Sequence, residues 1–399
     1  MVLSVEIESF RALLTAEGQA VLDAVGEYRP GTELAVATRL RRDFGPELVR
    51  AALEQANLRA RAGAKFGPDA GRMYFTPHGV EQSTRSAVAA WRAARMAGLG
   101  VRRVADLCSG VGGDALALAR AGIEVLAVDR DELTCAVAEA NAAALGLQDR
   151  ITQLRADVTE VDLAGFDAVF VDPARRSGRG RIFDPEAYSP PLSWAVGAAR
   201  TTPFAALKVA PGIPHEAVPE DAEAEWVSEQ GDVKEAALWF GTEAAQPHRA
   251  TLLPAGASLT GGTLPDPPSG PVRRFLFEPD GAVIRAHLVA EVAAELGATL
   301  IDPTIAYLTA DQLRPTPWAT AYEITDTLPF NLKRLKAILR ERGVGTLTVK
   351  KRGSAVEPEE LRRKVKPEGP HSCTVFLTRA DGAPVMLLGQ PVAADGGAT

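Results

Sequence analysis

The residues best suited to chemistry lie in one short run, Val104 to Asp114, which reads V-A-D-L-C-S-G-V-G-G-D. An apolar stretch closes on an acid, Asp106, and Cys108, Gly110, Gly112 and Gly113 follow before a helical pattern begins. Glycine has no Cβ, so such a loop lets the backbone pass close to a ligand, and the acid can hold a charged or polar ligand group. The place is the carboxyl end of a first strand, where open α/β sheets bind ligands. Two cofactor patterns compete. The dinucleotide fingerprint G-x-G-x-x-G puts Ala115 at its third glycine, so a nicotinamide dinucleotide fits imperfectly. The pattern acid-x-Gly-x-Gly-x-Gly, typical of S-adenosylmethionine sites, is matched by Asp106, Gly110 and Gly112, with Cys108 in the first glycine slot.

Three further acids end apolar runs. Val125 to Val128 leads to Asp129, and a carboxylate at the end of a second strand accepts hydrogen bonds from the two ribose hydroxyls that both cofactors share. Asp157 follows the third run. It could accept from an adenine amino group while the Val158 N–H donates to the ring, or it could cap a turn or helix. Val169 to Arg176 reads V-F-V-D-P-A-R-R, placing Asp172 and Pro173 at the end of the fourth run.

On these motifs the chain resembles the class I S-adenosylmethionine-dependent methyltransferases. The core looks closest to RNA-modifying members with a D/N-P-P motif and to the trimethylguanosine synthase core. Tyr74-Phe75-Thr76-Pro77 is similar to that family's T-P-E lead-in, with His78 in place of the acid. The whole layout looks like bacterial methyltransferases with a C-terminal THUMP-like domain. The resemblance implies that Asp106 and the Gly110 to Gly113 loop hold the methionine part of S-adenosylmethionine, that Asp129 binds the ribose, and that Asp157 with Val158 binds the adenine. It also implies that Asp172 and the Pro173 carbonyl accept from an exocyclic amine of a target base. Two departures stand out: Ala174 replaces the second proline, and Arg175 replaces the aromatic that stacks on the base. Arginine can stack through its guanidinium plane or grip phosphate. Guanine is therefore as credible a target as adenine. The expected activity is methylation of a base nitrogen in RNA, tRNA or rRNA. The alternatives are a methyltransferase of a protein or small molecule, and a non-catalytic RNA-binding protein on the same scaffold.

Elements must position these residues. Residues 1–72 read as a helical N-terminal domain. Residues 73–258 read as the methyltransferase domain, a doubly wound Rossmann-like α/β sheet in which strands at 104–107, 125–128, 151–154, 168–171 and 205–209 alternate with helices. A helix is expected over 80–96 before the first strand, and an antiparallel hairpin edge is expected from the strands at 225–228, 236–240 and 250–253. The stretch 259–271 is rich in Gly and Pro and reads as a linker. Residues 272–393 read as a small α/β C-terminal domain, with a basic helix at 331–342, a strand at 346–350, a helix at 358–365 and strands at 374–378 and 384–388. The tail beyond Pro391 is small and polar and reads as disorder.

The composition permits this reading. Of 399 residues, 46% are hydrophobic and 24% charged, as in soluble globular proteins, and no run is long enough to span a membrane. The start does not read as a signal peptide. Three scattered cysteines and five histidines show no metal-ligand spacing and fit a reducing cytoplasm. Net charge is −7, but it is unevenly spread. Between Lys333 and Lys366 there are 12 Lys and Arg against 4 acids, and between Arg39 and Arg72 there are 8 against 4. Local potential matters more to a polyanion than the total, so the basic tail, Lys350, Lys351 and Arg352 included, is expected to touch RNA. The loop Arg175 to Arg181 is a second basic candidate.

Overall fold

The structure is a computed structural model that describes residues 2–174, 176–177, 180–181 and 184–392, without the side chains of 2–5, 176–177 and 180–181. The chain divides into two compact units, one of residues 1–223 and 235–244, the other of 224–234 and 245–399.

The first unit opens with four helices, α1 (Val2–Leu13), α2 (Ala16–Val25), α3 (Glu33–Leu40) and α4 (Pro46–Phe66). Their apolar faces converge on Phe10, Leu13, Val21, Leu22, Val49, Ala52, Leu58 and Phe66, which is why leucines and alanines recur here at helical spacing. Pro46 starts α4, where its missing N–H costs nothing, and Gly67 ends it. After α4 the chain runs extended through Tyr74-Phe75, held by two buried amides. Gln55 donates to the Phe75 carbonyl at 2.7 Å and accepts from its N–H at 3.0 Å. Asn141 accepts from the Tyr74 N–H and donates to the carbonyls of Tyr74 and Val111.

The single helix expected over 80–96 is two, α5 (Pro77–Gln82) and α6 (Ser86–Gly98). Ser83 turns out of the helical region, its hydroxyl donates to the Gly79 carbonyl, and Lys65 donates to the Ser83 carbonyl. Side chains thus take over bonds that a continuous helix would make. The break brings Thr84 into the interior.

The sheet of this unit has β1 (Arg103–Leu107), β2 (Glu124–Asp129), β3 (Ile151–Arg155), β4 (Ala168–Val171) and the strands Phe204–Val209 and Asp232–Phe240. They lie in the order β3, β2, β1, β4, Phe204–Val209, Asp232–Phe240, all parallel except the last. This is the doubly wound arrangement, with α7 (Gly113–Arg120) and α8 (Glu132–Ala144) as the first crossovers. β4 is buried along its whole length, as its unbroken A-V-F-V requires. The strand order reverses between β1 and β4, so a crevice opens at their carboxyl ends. Gln230 and Gly231, both at positive φ, form the two-residue turn between Glu223–Glu229 and the antiparallel strand Asp232–Phe240.

In the second unit, His248–Leu253 pairs with Ala257–Gly261. The start of the expected linker is therefore strand: Leu259 pairs with Ala250, and the irregular connection starts only after Gly261. Beyond it a seven-stranded sheet runs in the order Thr299–Asp302, Ile305–Ala310, Phe275–Pro279, Ala319–Pro329, Ala383–Pro391, His371–Ala380, Val344–Lys351. The helices Leu332–Glu341 and Pro358–Val365 bury Leu335, Leu339, Leu361 and Val365 against Leu347, Val349 and Val375. The expected disordered tail lies outside the described residues, Val392 excepted.

Candidate active site

Three acids, Asp106, Asp129 and Asp172, stand at the carboxyl ends of β1, β2 and β4, and Asp157 follows β3. Asp106 ends in the interior with no exposure, and both of its carboxyl oxygens lack a hydrogen-bond partner. Burial, with the nearby carboxylates Asp114 and Asp172, raises its pKa well above the usual range despite Arg92. Such an orphan is expensive unless something else satisfies it. Above it the loop turns sharply: Cys108 (φ 65), Gly110 (φ 57) and Gly112 (φ 88) all take left-handed backbone. Gly110 has open space where a side chain would stand, which is a cradle for a ligand. Cys108 takes the glycine slot at the strain cost of its Cβ. Partial burial, with Asp129 and Asp172 nearby, pushes its thiol pKa far up, away from the reactive thiolate.

Asp129 accepts from the Gly110 N–H at 3.1 Å through one oxygen and from the Asp131 N–H at 3.0 Å through the other. It ties the glycine loop to β2 at the place expected for a ribose partner. Asp157 is exposed and caps a short helix, accepting from the N–H and hydroxyl of Thr159, which lower its pKa. Val158 begins that turn.

Asp172 follows β4, its N–H bonded to the Leu107 carbonyl at 3.2 Å. Pro173 is buried, and Ala174 forms a two-bond bridge with Ser189. Arg175 lies outside the described residues. Of the second basic candidate, Arg175 to Arg181, the described residues form a short antiparallel ribbon, Arg176–Ser177 with Gly180–Arg181, while Gly178 and Arg179 lie outside the described residues.

Sequence reasoning missed the charges beneath this crevice. Lys208, on the strand beside β4, donates to Asp172 Oδ2 at 2.6 Å and to Thr84 Oγ1 at 2.8 Å. Arg92, on α6, is buried over the Phe170 ring and pairs with both Asp114 and Glu235. Desolvation opposes its charge, but the two carboxylates outweigh it and raise its pKa, while burial raises that of Glu235. One signal was available: Lys208 interrupts an otherwise apolar strand, F-A-A-L-K-V, and a cation there needs a buried partner.

The arrangement therefore sets two cations, Arg92 and Lys208, among four carboxyl groups, Asp106, Asp114, Asp172 and Glu235. That surplus discriminates between the two cofactor patterns. The acid-rich lining suits the cationic sulfonium and ammonium of S-adenosylmethionine better than an anionic pyrophosphate. The orphaned Asp106 and the open cradle at Gly110 fit S-adenosylmethionine.

Proteins of Mycobacterium tuberculosis, strains H37Rv and CDC 1551, each named an uncharacterized S-adenosylmethionine-dependent methyltransferase, are 34% identical over 347 residues, 84% of this chain and 93% of theirs. The chain belongs to the S-adenosylmethionine-dependent methyltransferases. Within this methyltransferase, residues 101–192 match the RNA cap guanine-N2 methyltransferase family, residues 319–391 the THUMP domain-like family, and residues 6–62 a domain of unknown function. A crystal structure from Porphyromonas gingivalis W83, solved as a candidate methyltransferase, shares the fold with a TM-score of 0.73 at 21% identity, covering 92% of this chain and 100% of that one. The cofactor is S-adenosylmethionine. Among the described residues no helix is long and apolar enough to cross a membrane, and no cluster of three or more His, Cys, Asp or Glu could hold a metal.

Proposed function

We propose that this methyltransferase modifies an exocyclic amine of a base in RNA, tRNA or rRNA, with Asp172 and Pro173 receiving the amine. The observation that carries this reading is the placement of Asp172. It stands at the carboxyl end of β4, joined through Leu107 to the strand that ends at Asp106. A target amine there would donate to the Asp172 carboxylate and to the Pro173 carbonyl, which turns its lone pair away from them. S-adenosylmethionine supplies the electrophilic methyl group when bound. Asp106 would take its ammonium, Asp129 its ribose, and Asp157 with Val158 its adenine. Orientation in a water-poor crevice provides most of the rate gain, and neither a metal nor a protein nucleophile is needed.

RNA as the acceptor is supported by the match to an RNA cap guanine-N2 methyltransferase family over the segment that contains Asp172, and by the THUMP-like segment. A surface feature agrees. On the helix Leu332–Glu341, Lys333, Arg334, Lys336 and Arg340 are all exposed, so one turn after another presents positive charge. Three further cations of the expected basic tail have partners within the fold. Lys350 pairs with Glu278, Lys351 with Glu357 at 2.6 Å, and Arg352 lies over the Tyr307 ring.

The test is Asp172→Ala, assayed for transfer of tritiated methyl groups to total RNA from a strain lacking the gene, with cofactor affinity measured by calorimetry. Transfer is expected to be lost while the affinity for S-adenosylmethionine changes less than about threefold. Loss of cofactor binding would show that Asp172 belongs to the cofactor site. Full cofactor binding by the wild type without transfer to RNA would leave a protein or small-molecule acceptor, or an RNA-binding role without catalysis.

A further inference from the structure

We propose that Lys208 is a positioning residue that fixes the Asp172 carboxylate for the target amine, with Thr84 as its anchor. The inference rests on the reading of Asp172 given above. Three elements distant in sequence converge here: the end of β4, the strand Phe204–Val209, and the break between α5 and α6. Val171 and Leu207 are paired neighbours in the sheet, so the next residues, Asp172 just past its strand and Lys208 near the end of its own, lie side by side. The Lys208 side chain is only 5% exposed. An ammonium in that position is tolerated only when its donors are used, and two of its three go to Asp172 Oδ2 and Thr84 Oγ1.

The consequence for Asp172 is geometric. A carboxylate at a strand end rotates about χ2 over a broad well. Here one oxygen is held by a cation that cannot itself move, because Thr84 fixes it from the other side. Asp172 Oδ1 is then left in a single orientation for an N–H donor. The charge also matters. Asp172 shares its surroundings with Asp106 and Asp114, and without Lys208 the carboxylate would turn away from them toward solvent. The break in the helix gains a purpose in the same way, because a continuous α5–α6 helix would not bring Thr84 to Lys208.

A salt bridge that served only the fold would cost stability when one partner is removed, but it would leave the turnover of the folded protein near its wild-type value. Lys208→Met tests this on the full-length protein, with Lys208→Arg as the conservative variant and Thr84→Val as a milder lesion that keeps the lysine. With tritiated S-adenosylmethionine and total RNA from a strain lacking the gene, kcat of Lys208→Met is expected to fall on the order of a hundredfold, as a displacement of about 1 Å can cause. The RNA KM and the calorimetric cofactor affinity should stay within about threefold, Lys208→Arg should recover part of the rate, and Thr84→Val should lose roughly tenfold. A crystal structure of Lys208→Met, or of Thr84→Val if the first variant does not fold, reads the geometry without any acceptor. A displaced Asp172 carboxylate is expected. An unmoved carboxylate, or a Lys208→Met kcat within threefold of wild type, would overturn the proposal. Absence of transfer to RNA by the wild type would sink the RNA reading alone, and the crystal structure would still decide the role of Lys208.

Discussion

Replacing Asp106 by Asn separates cofactor binding from folding, because the two respond in opposite directions. Both oxygens of Asp106 are orphaned in the protein alone, so the carboxyl contributes nothing by hydrogen bonding to the fold. Its raised pKa means that burial penalises the ionised form. The sign follows directly. Whatever this group contributes to stability is fully present below the ordinary Asp range, near 3.9, and is lost as pH rises through the raised folded value. Asn cannot ionise, so at neutral pH the variant should be as stable as wild type or more so, by up to about 1 kcal/mol, or roughly 2–4 °C in Tm for a unit of this size. Binding goes the other way. A charged hydrogen bond is worth about 1.5–3 kcal/mol, or about 10- to 150-fold in affinity, and part of it is spent in removing the proton from Asp106. A loss of about 10- to 50-fold in affinity for S-adenosylmethionine is therefore expected. In wild type, binding should release a proton and tighten as pH rises across the window between the ordinary and the raised value, a slope that Asp106→Asn should lack. Calorimetry in buffers of different ionisation enthalpy, with thermal unfolding of the free protein, reads both quantities. Unchanged affinity would show that Asp106 does not face the cofactor. A parallel fall in affinity and Tm would show that Asp106 supports the fold itself and refute the separation.

Two further outcomes follow from the charges. Arg92→Met strands Asp114 and Glu235 beside the Phe170 ring and should cost about 3–5 kcal/mol, the usual loss when one partner of a buried ionic group is removed. The loss should shrink in acid, where Glu235, with its raised pKa, is protonated, and a Tm within about 1 °C of wild type at neutral pH would contradict a buried ionic role for Arg92. Reversing Lys333, Arg334, Lys336 and Arg340 to Glu should weaken RNA binding in a filter assay. It should also make the salt dependence shallower, by about one unit of slope for each phosphate no longer neutralised, whereas the same change at Lys350, Lys351 and Arg352 should do less. Equal effects, or a greater effect from the second set, would move the RNA-binding surface.

Much of this molecule was legible in the residues alone. The runs closing on Asp106, Asp129 and Asp172 specify parallel strands with acids at their ends, because an apolar segment buried on both faces tolerates charge only where it emerges. The glycines at 110 and 112 specify a left-handed turn, since other residues there are strained by their Cβ, as Cys108 is. The sequence thus determined the sheet and the crevice, and it pointed to the cofactor through the family it resembles. It could not determine which charges meet inside. Lys208 and Asp172 are 36 residues apart, and Arg92 and Glu235 are 143 apart. Their pairing depends on strand order and on a helix break at Ser83 that local propensity did not mark. Likewise, the basic tail read as one cationic surface, but only tertiary packing decided that Lys350 and Lys351 face glutamates while the cations of Leu332–Glu341 face water. Local rules fix what each segment forms, whereas the net charge of a site is a sum over neighbours that only the folded chain assembles.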